Sequence, residues 1–211
     1  MPHVAYGAAM TEQQPYSTVR HYPTFDLRHY PEHVLAEVEV HGSFERAGNA
    51  AFNALFRYIS GNNQGRREIP MTAPVLQGGA GPQKIAMTAP VWQRSASGGS
   101  EDTAGAHVVA FVLPSSVTAA TAPVPSDPAV RIRVEPAVLA AVLRYRGRWT
   151  RSSYEKHRLR LERAVREAGL VPVAAARFAR FDPPFTPAFL RRNEVVLPVS
   201  GPGAGARPAP R

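Results

Sequence analysis

Seven histidines and no cysteine set the chemistry open to this chain. Without thiolates there is no disulfide, no cysteine-ligated metal and no cysteine nucleophile. His29 and His33 stand at H-x-x-E-H spacing, but Pro31 between them breaks the helix on which such a pair would face one ion, so a zinc site is not expected. His3 and His21 fall in or beside a polar N-terminal stretch, and His33, His41 and His107 fall at the ends of extended segments. His157 lies on the inner stripe of a helical segment, where a hydrogen-bonded core role is the simplest reading. His29 sits in Arg28-His29-Tyr30. Glu37 and Glu39 stand two apart on one strand face, as solvated carboxylates rather than an acid–base pair. No G-x-S-x-G, P-loop or G-x-G-x-x-G is present, so no catalytic constellation emerges.

The aromatic residues carry more information. From Ser43, a plausible N-cap, to a stop at Gly61, the apolar residues Phe44, Ala47, Ala51, Leu55 and Tyr58 recur at helical spacing. Phe52 and Phe56 lie off that stripe, roughly 100° around the axis. A helix with two apolar stripes must be covered on both or present one to a ligand. Arg57 lies beside Phe56, and Asn49 near both.

The surrounding elements are readable in turn. Phe25, Leu27 and His29 alternate with Asp26 and Arg28, which predicts a strand with Phe25, Leu27 and His29 inward. Residues 33–40, 107–113, 130–134, 176–181 and 195–199 are further strands. A second amphipathic helix runs from about Thr150 to Ala168 and ends at Gly169, with Tyr154, His157, Leu161, Val165 and Ala168 inward. Met71-Thr72-Ala73-Pro74-Val75 returns as Met87-Thr88-Ala89-Pro90-Val91 across a Gly-rich turn, which reads as a hairpin or related strand pair. Its prolines suit a strand end, an edge or a bulge. Val34-Leu35-Ala36-Glu37-Val38 is echoed by Val138-Leu139-Ala140-Ala141-Val142, and each echo leads through a glycine and an aromatic residue into a helix. The chain is therefore expected to be one α+β domain with a duplicated, pseudo-two-fold plan over residues 23–199. Residues 1–22 form a flexible tail and 200–211 a disordered one.

The 211 residues allow an ample core, and the net charge of +9 attracts anions, a carboxylate-bearing ligand among them. The charge is scattered and no nucleic-acid module is present, so no specific nucleic-acid partner is expected. No apolar run is long enough to span a membrane and no secretory leader is seen. The expectation is a cytoplasmic monomer.

Ile85-Ala86-Met87-Thr88-Ala89-Pro90-Val91, the Tyr145–Trp149 segment, Phe181-Asp182-Pro183-Pro184 and Arg191-Arg192-Asn193-Glu194-Val195 together resemble the SOUL haem-binding family, over about residues 24–199. The resemblance implies a distorted antiparallel β-barrel of two similar halves with two long helices outside it, and a haem or tetrapyrrole ligand held by a carrier, buffer or chaperone. It implies two alternative sites. One is an apolar groove along the first helix, here Asn49, Phe52, Phe56 and Arg57, closed by a loop carrying Phe185, Thr186 and Phe189. In this groove a basic side chain meets a haem propionate. The other is an axial imidazole on the iron, His29. A tetrapyrrole-modifying enzyme would need an acid–base group, for which only His29 or Glu45 offers itself. A general effector-binding module would be marked by an acidic carboxylate in the pocket.

Overall fold

The computed structural model describes residues 12–69, 71–73, 75–79, 105–182 and 185–201. The second MTAPV copy and the turn before it lie outside these residues. The first copy contributes β5 (Thr72–Ala73) and opens β6 (Val75–Gly79).

In chain order the other elements are β1 (Glu12–Gln13), β2 (Ser17–His21), β3 (Asp26–Tyr30), β4 (His33–Gly42), α1 (Phe44–Ile59), β7 (Gly105–Val112), β8 (Val130–Glu135), β9 (Val138–Arg146), α2 (Arg151–Glu167), β10 (Val171–Pro172), β11 (Arg177–Arg180) and β12 (Arg192–Ser200). The main sheet runs β2-β3-β9-β12-β11-β6-β7-β4-β8, antiparallel throughout, with β10 added to the far end of β12. β1 pairs with β5 in a short parallel ladder of its own. From β3 to β8 the order is palindromic. Exchanging β3 with β8, β4 with β9, β6 with β11 and β7 with β12 gives the same path read backwards.

The expected barrel is not formed, because the sheet stays open: its end strands β2 and β8 are not paired with each other. It does curl. Only Pro31 and Glu32 separate β3 from β4, which lie far apart in the ladder, so the sheet must bend round to bring them together. Residues 17–21, within the stretch expected to be tail, are β2 and pair with β3.

Both helices lie on one face of the sheet. α1 sets Ala47, Ala51, Leu55 and Tyr58 against Val34, Ala36 and Val38 of β4 and Val109 and Phe111 of β7. α2 sets Tyr154, Leu161 and Val165 against β9 and β12 through Ala141, Leu143, Val195 and Leu197. Thr150 caps α2 by accepting from the Ser153 N–H at 3.3 Å, whereas Ser43 occupies the N-cap position of α1 without a side-chain cap bond. Gly61 and Gly169 follow the helices at φ +100° and +72°, where a side chain would be strained. The opposite face carries Leu35, Leu76, Val112 and Ala179 and, beside them, Tyr30, Ala140 and Val142. No described helix is long and apolar enough to cross a membrane.

Candidate functional site

The helix side offers an aromatic ledge. Phe52 and Phe56 follow each other by one turn on α1, and their rings stack 5.6 Å apart at 11°. Phe52 is half-buried, with its edge meeting Phe111, while Phe56 is 46% exposed. Asn49 is exposed one turn before Phe52. Arg57 is mostly exposed and pairs with Asp127 at 3.5 Å. Phe185 and Phe189 lie between β11 and β12, exposed 85% and 73%, so neither is packed on α1. Thr186 offers its backbone carbonyl to Arg191 Nε at 2.7 Å.

His29 is exposed on β3, paired with Ser17 and Leu139, on the side opposite Arg28 and Tyr30. β3 does not have the one buried face that its alternation suggests. Leu27 is buried on the helix side, Arg28 and Tyr30 on the other, and His29 reaches solvent. With Leu27 packed on one face and Arg28 and Tyr30 on the other, the strand loses the simple in–out rhythm. Glu45 accepts the Arg151 N–H at 2.9 Å, capping the start of α2, and this bond holds its carboxyl below the usual range. His157 donates from Nδ1 to the Ser153 carbonyl at 2.7 Å and stacks on Tyr145 at 3.8 Å, as a core histidine does. Glu37 pairs with Arg133 at 2.8 Å.

The helix-free side holds a cleft of about 550 Å³, the open space at its mouth included. Its floor is Leu76, Ala140 and Val196, and Tyr16, Tyr30 and Phe181 supply aromatic walls. Glu194 stands in it, 2% exposed, accepting from Arg28 Nη1 at 3.1 and 3.2 Å and from Arg144 Nε at 3.0 Å. Arg28, 1% exposed, also reaches Asp26 at 3.1 Å and the Tyr30 hydroxyl at 3.4 Å. Burial alone would push its charge off, but Glu194 and these neighbours outweigh burial and raise its pKa. Burial, reinforced by Glu194, pushes the Tyr30 phenol up to about 12. At the other end, Glu135 is held between Arg133 and Arg177. Burial disfavours its charge, yet the two guanidiniums bring its pKa below the ordinary value. Gln14 hydrogen-bonds to His33 at 3.1 Å, and its N–H reaches the Ala73 carbonyl at 2.9 Å. The N-terminal segment thus crosses the cleft and is tied to the first MTAPV copy. Neither Arg28 nor Glu194 stood out in the sequence as a site residue. The one available signal was Glu194's place in the Arg-Arg-Asn-Glu-Val motif.

No group of histidines and carboxylates fit to hold a metal ion occurs among the described residues.

Comparison with known proteins places this geometry. The solved EcmrR C-terminal domain superposes with a TM-score of 0.58 at 12% identity, covering 88% of this chain and 98% of that one. A hydrolase from Listeria innocua superposes with a TM-score of 0.52 at 12% identity, covering 90% and 94%. At that identity the likeness concerns the fold. No curated protein matches the sequence. Residues 11–80 and 77–198 match the family described as SOUL heme-binding protein. With nearly every described element inside the matched stretch, the chain belongs to the SOUL heme-binding protein family.

Proposed function

We propose that this protein binds haem or another tetrapyrrole and acts as its carrier or buffer, as a cytoplasmic monomer, with the ligand resting on the outer face of α1. Family membership supports the ligand class. The observation that carries the site is the Phe52–Phe56 ledge, two parallel rings with the outer one 46% exposed. A flat macrocycle gains most from such a surface, because it buries apolar area and stacks at once. Phe185 and Phe189 extend from a loop that can fold over the ligand, and Asn49 lies at the ledge's near end. Arg57 would exchange its partly solvated Asp127 contact for a propionate. His29 belongs to the β2–β3–β9 part of the sheet, away from the strands that carry α1, so in this reading it does not ligate the iron. The palindromic strand order, with the two VLA-x-V echoes falling in β4 and β9, supports descent from a duplicated half-domain.

Titration with haem and with iron-free protoporphyrin tests this. Affinity of micromolar or better is expected for both, about −8 kcal/mol. If the ligand covers the exposed half of Phe56 and a similar part of Phe52, each ring contributes about 2 kcal/mol, so Phe52→Ala with Phe56→Ala weakens binding several hundredfold. His29→Ala leaves the Soret position unchanged. No spectral change with folded protein, or loss of binding in His29→Ala alone, overturns the reading.

The buried Glu194 carboxylate favours a second reading, an effector-binding module whose cleft takes an apolar cation. Arg28 and Arg144 already neutralise that carboxylate, so such a ligand would have to compete with them. Saturable binding of a lipophilic cation, lost in Glu194→Gln, would support it.

A further inference from the structure

We propose that Arg180, Trp149 and Arg191 form a binding site for the carboxylate of a ligand lying along α1. The proposal rests on the placement of the ligand on α1 and identifies where its acid end is held.

Arg180 ends β11 and is 5% exposed. Its guanidinium donates to the Gln77 side-chain carbonyl at 2.6 Å and to the Phe44 carbonyl at 3.4 Å. No carboxylate lies within ion-pair reach of it among the described residues, although a buried cation is normally paired. Burial lowers its pKa to about 10, with Tyr145 and Glu45 acting against the lowering and Arg191 adding to it, so it remains charged at neutral pH. It lies 4.9 Å from the Trp149 ring centre, and Arg191 lies 4.3 Å from the same ring. Two guanidiniums thus flank one indole.

The donors point the same way. Arg180 Nε and Trp149 Nε1 are both buried without a hydrogen-bond partner. Leaving such a group unsatisfied is unfavourable, and native proteins keep few of them. A carboxylate has two oxygens and accepts from both. The neighbouring Asn193 Oδ1 is also unpartnered, and a water bound with the acid group would satisfy it.

The position fits a ligand on the ledge. Arg180 fills the space beside Gly48, where any side chain would overlap its Nη1. Gly48, Phe52 and Phe56 recur every fourth residue along one side of α1. From Gly48 to Phe56 is about 12 Å along the axis, at 1.5 Å per residue. A flat ligand stacked on the two phenylalanines can therefore extend an acidic arm toward Arg180. Arg57, at the other end of the helix, can take the other acid group only by giving up Asp127, so it adds little to the preference for an acid.

The test compares protoporphyrin with its dimethyl ester, which keeps the macrocycle and removes the acids. Wild-type protein should bind the free acid at least tenfold more tightly than the ester, since hydrogen bonds to charged groups are the stronger kind. Arg180→Met should close that gap while leaving ester affinity within about twofold. Trp149→Phe keeps the ring but removes its N–H, so it should narrow the gap severalfold and remain folded if Arg180→Met does not. Equal binding of acid and ester by wild type, or a gap that survives both substitutions, overturns the site and leaves the tetrapyrrole reading standing. If neither porphyrin binds, that reading fails, and 1-naphthoate then decides the site. In a Trp92→Phe background its saturable quenching of Trp149, lost in Arg180→Met, supports the site, and its absence overturns it.

Discussion

Glu194→Ala is the substitution from which the structure draws the largest stability effect. Glu194 and Arg28 are 2% and 1% exposed and bonded at 3.1 Å. Removing one partner of such a pair strands the other charge in the interior, at a cost of about 3–5 kcal/mol. Arg28 keeps Asp26 and Tyr30, so the lower end of that range, about 3 kcal/mol, applies. Arg144 adds little, because its side chain is 60% exposed and exposed pairs contribute about 0–1 kcal/mol. The double substitution Arg28→Met with Glu194→Leu removes both charges and fills the space with apolar atoms, and should fall within about 1 kcal/mol of wild type. Urea unfolding reads both. At a slope of about 2 kcal/mol per molar, Glu194→Ala should lower the midpoint by roughly 1.5 M, and the double variant should recover most of that. A drop below about 0.5 M on the same scale, or a double variant as unstable as the single, would refute the claim that these charges are buried as a mutually dependent pair.

Other substitutions probe the same framework. Gly48→Ala would ordinarily stabilise a helix by about 1 kcal/mol. Here the new methyl group meets Arg180, which Gln77 and Phe44 hold in place, so a loss of about 1–3 kcal/mol is expected, read as a lower urea midpoint. Glu135 has its folded pKa lowered by Arg177 and Arg133 acting against burial. Its contribution is therefore fully present above the unfolded value near 4.5 and is lost as pH falls through the lower folded value. Glu135→Gln should reduce stability at pH 7 and flatten its decline below about pH 4.5, as followed by urea midpoints across pH.

The helices were the most legible part of the chain. Phe44, Ala47, Ala51, Leu55 and Tyr58 all point inward, because a 3.6-residue period survives wherever one face alone is covered. The termini expected at 43–60 and 150–168 agree with α1 and α2 to within a residue or two at each end. Strand order was not legible, since register depends on partners distant in sequence. Arg28 read as an outward residue because it alternates with Leu27. Its burial depends on Glu194, 166 positions away, and no local pattern can report that pairing. Arg180 was hidden for a similar reason. The glycine that makes room for it lies on α1 and reads there only as an unexplained interruption of a helix. Residues 17–21 looked like tail because every one is exposed. They are held in place by backbone pairing to β3, which leaves no apolar signature.

The two faces of the sheet differ in how their charges are balanced, and this bears on which face takes an anion. Around the cleft, Arg28, Arg144, Arg133 and Arg177 are set against Asp26, Glu194, Glu37 and Glu135. Four cations meet four carboxylates at short range, so the cleft presents polar groups with little net field. At the seam between α1 and the end of β11, Arg180 has hydrogen-bond acceptors but no ion-paired carboxylate among the described residues, and only the more distant Glu45 and Tyr145 offset its field. In an interior of low dielectric such a field is felt more strongly than among solvated charges. On the proposed reading, a dianionic tetrapyrrole would be drawn to the helix face by both of its parts, the macrocycle to Phe52 and Phe56 and an acid group to Arg180. To lie in the cleft it would have to break ion pairs that already satisfy one another.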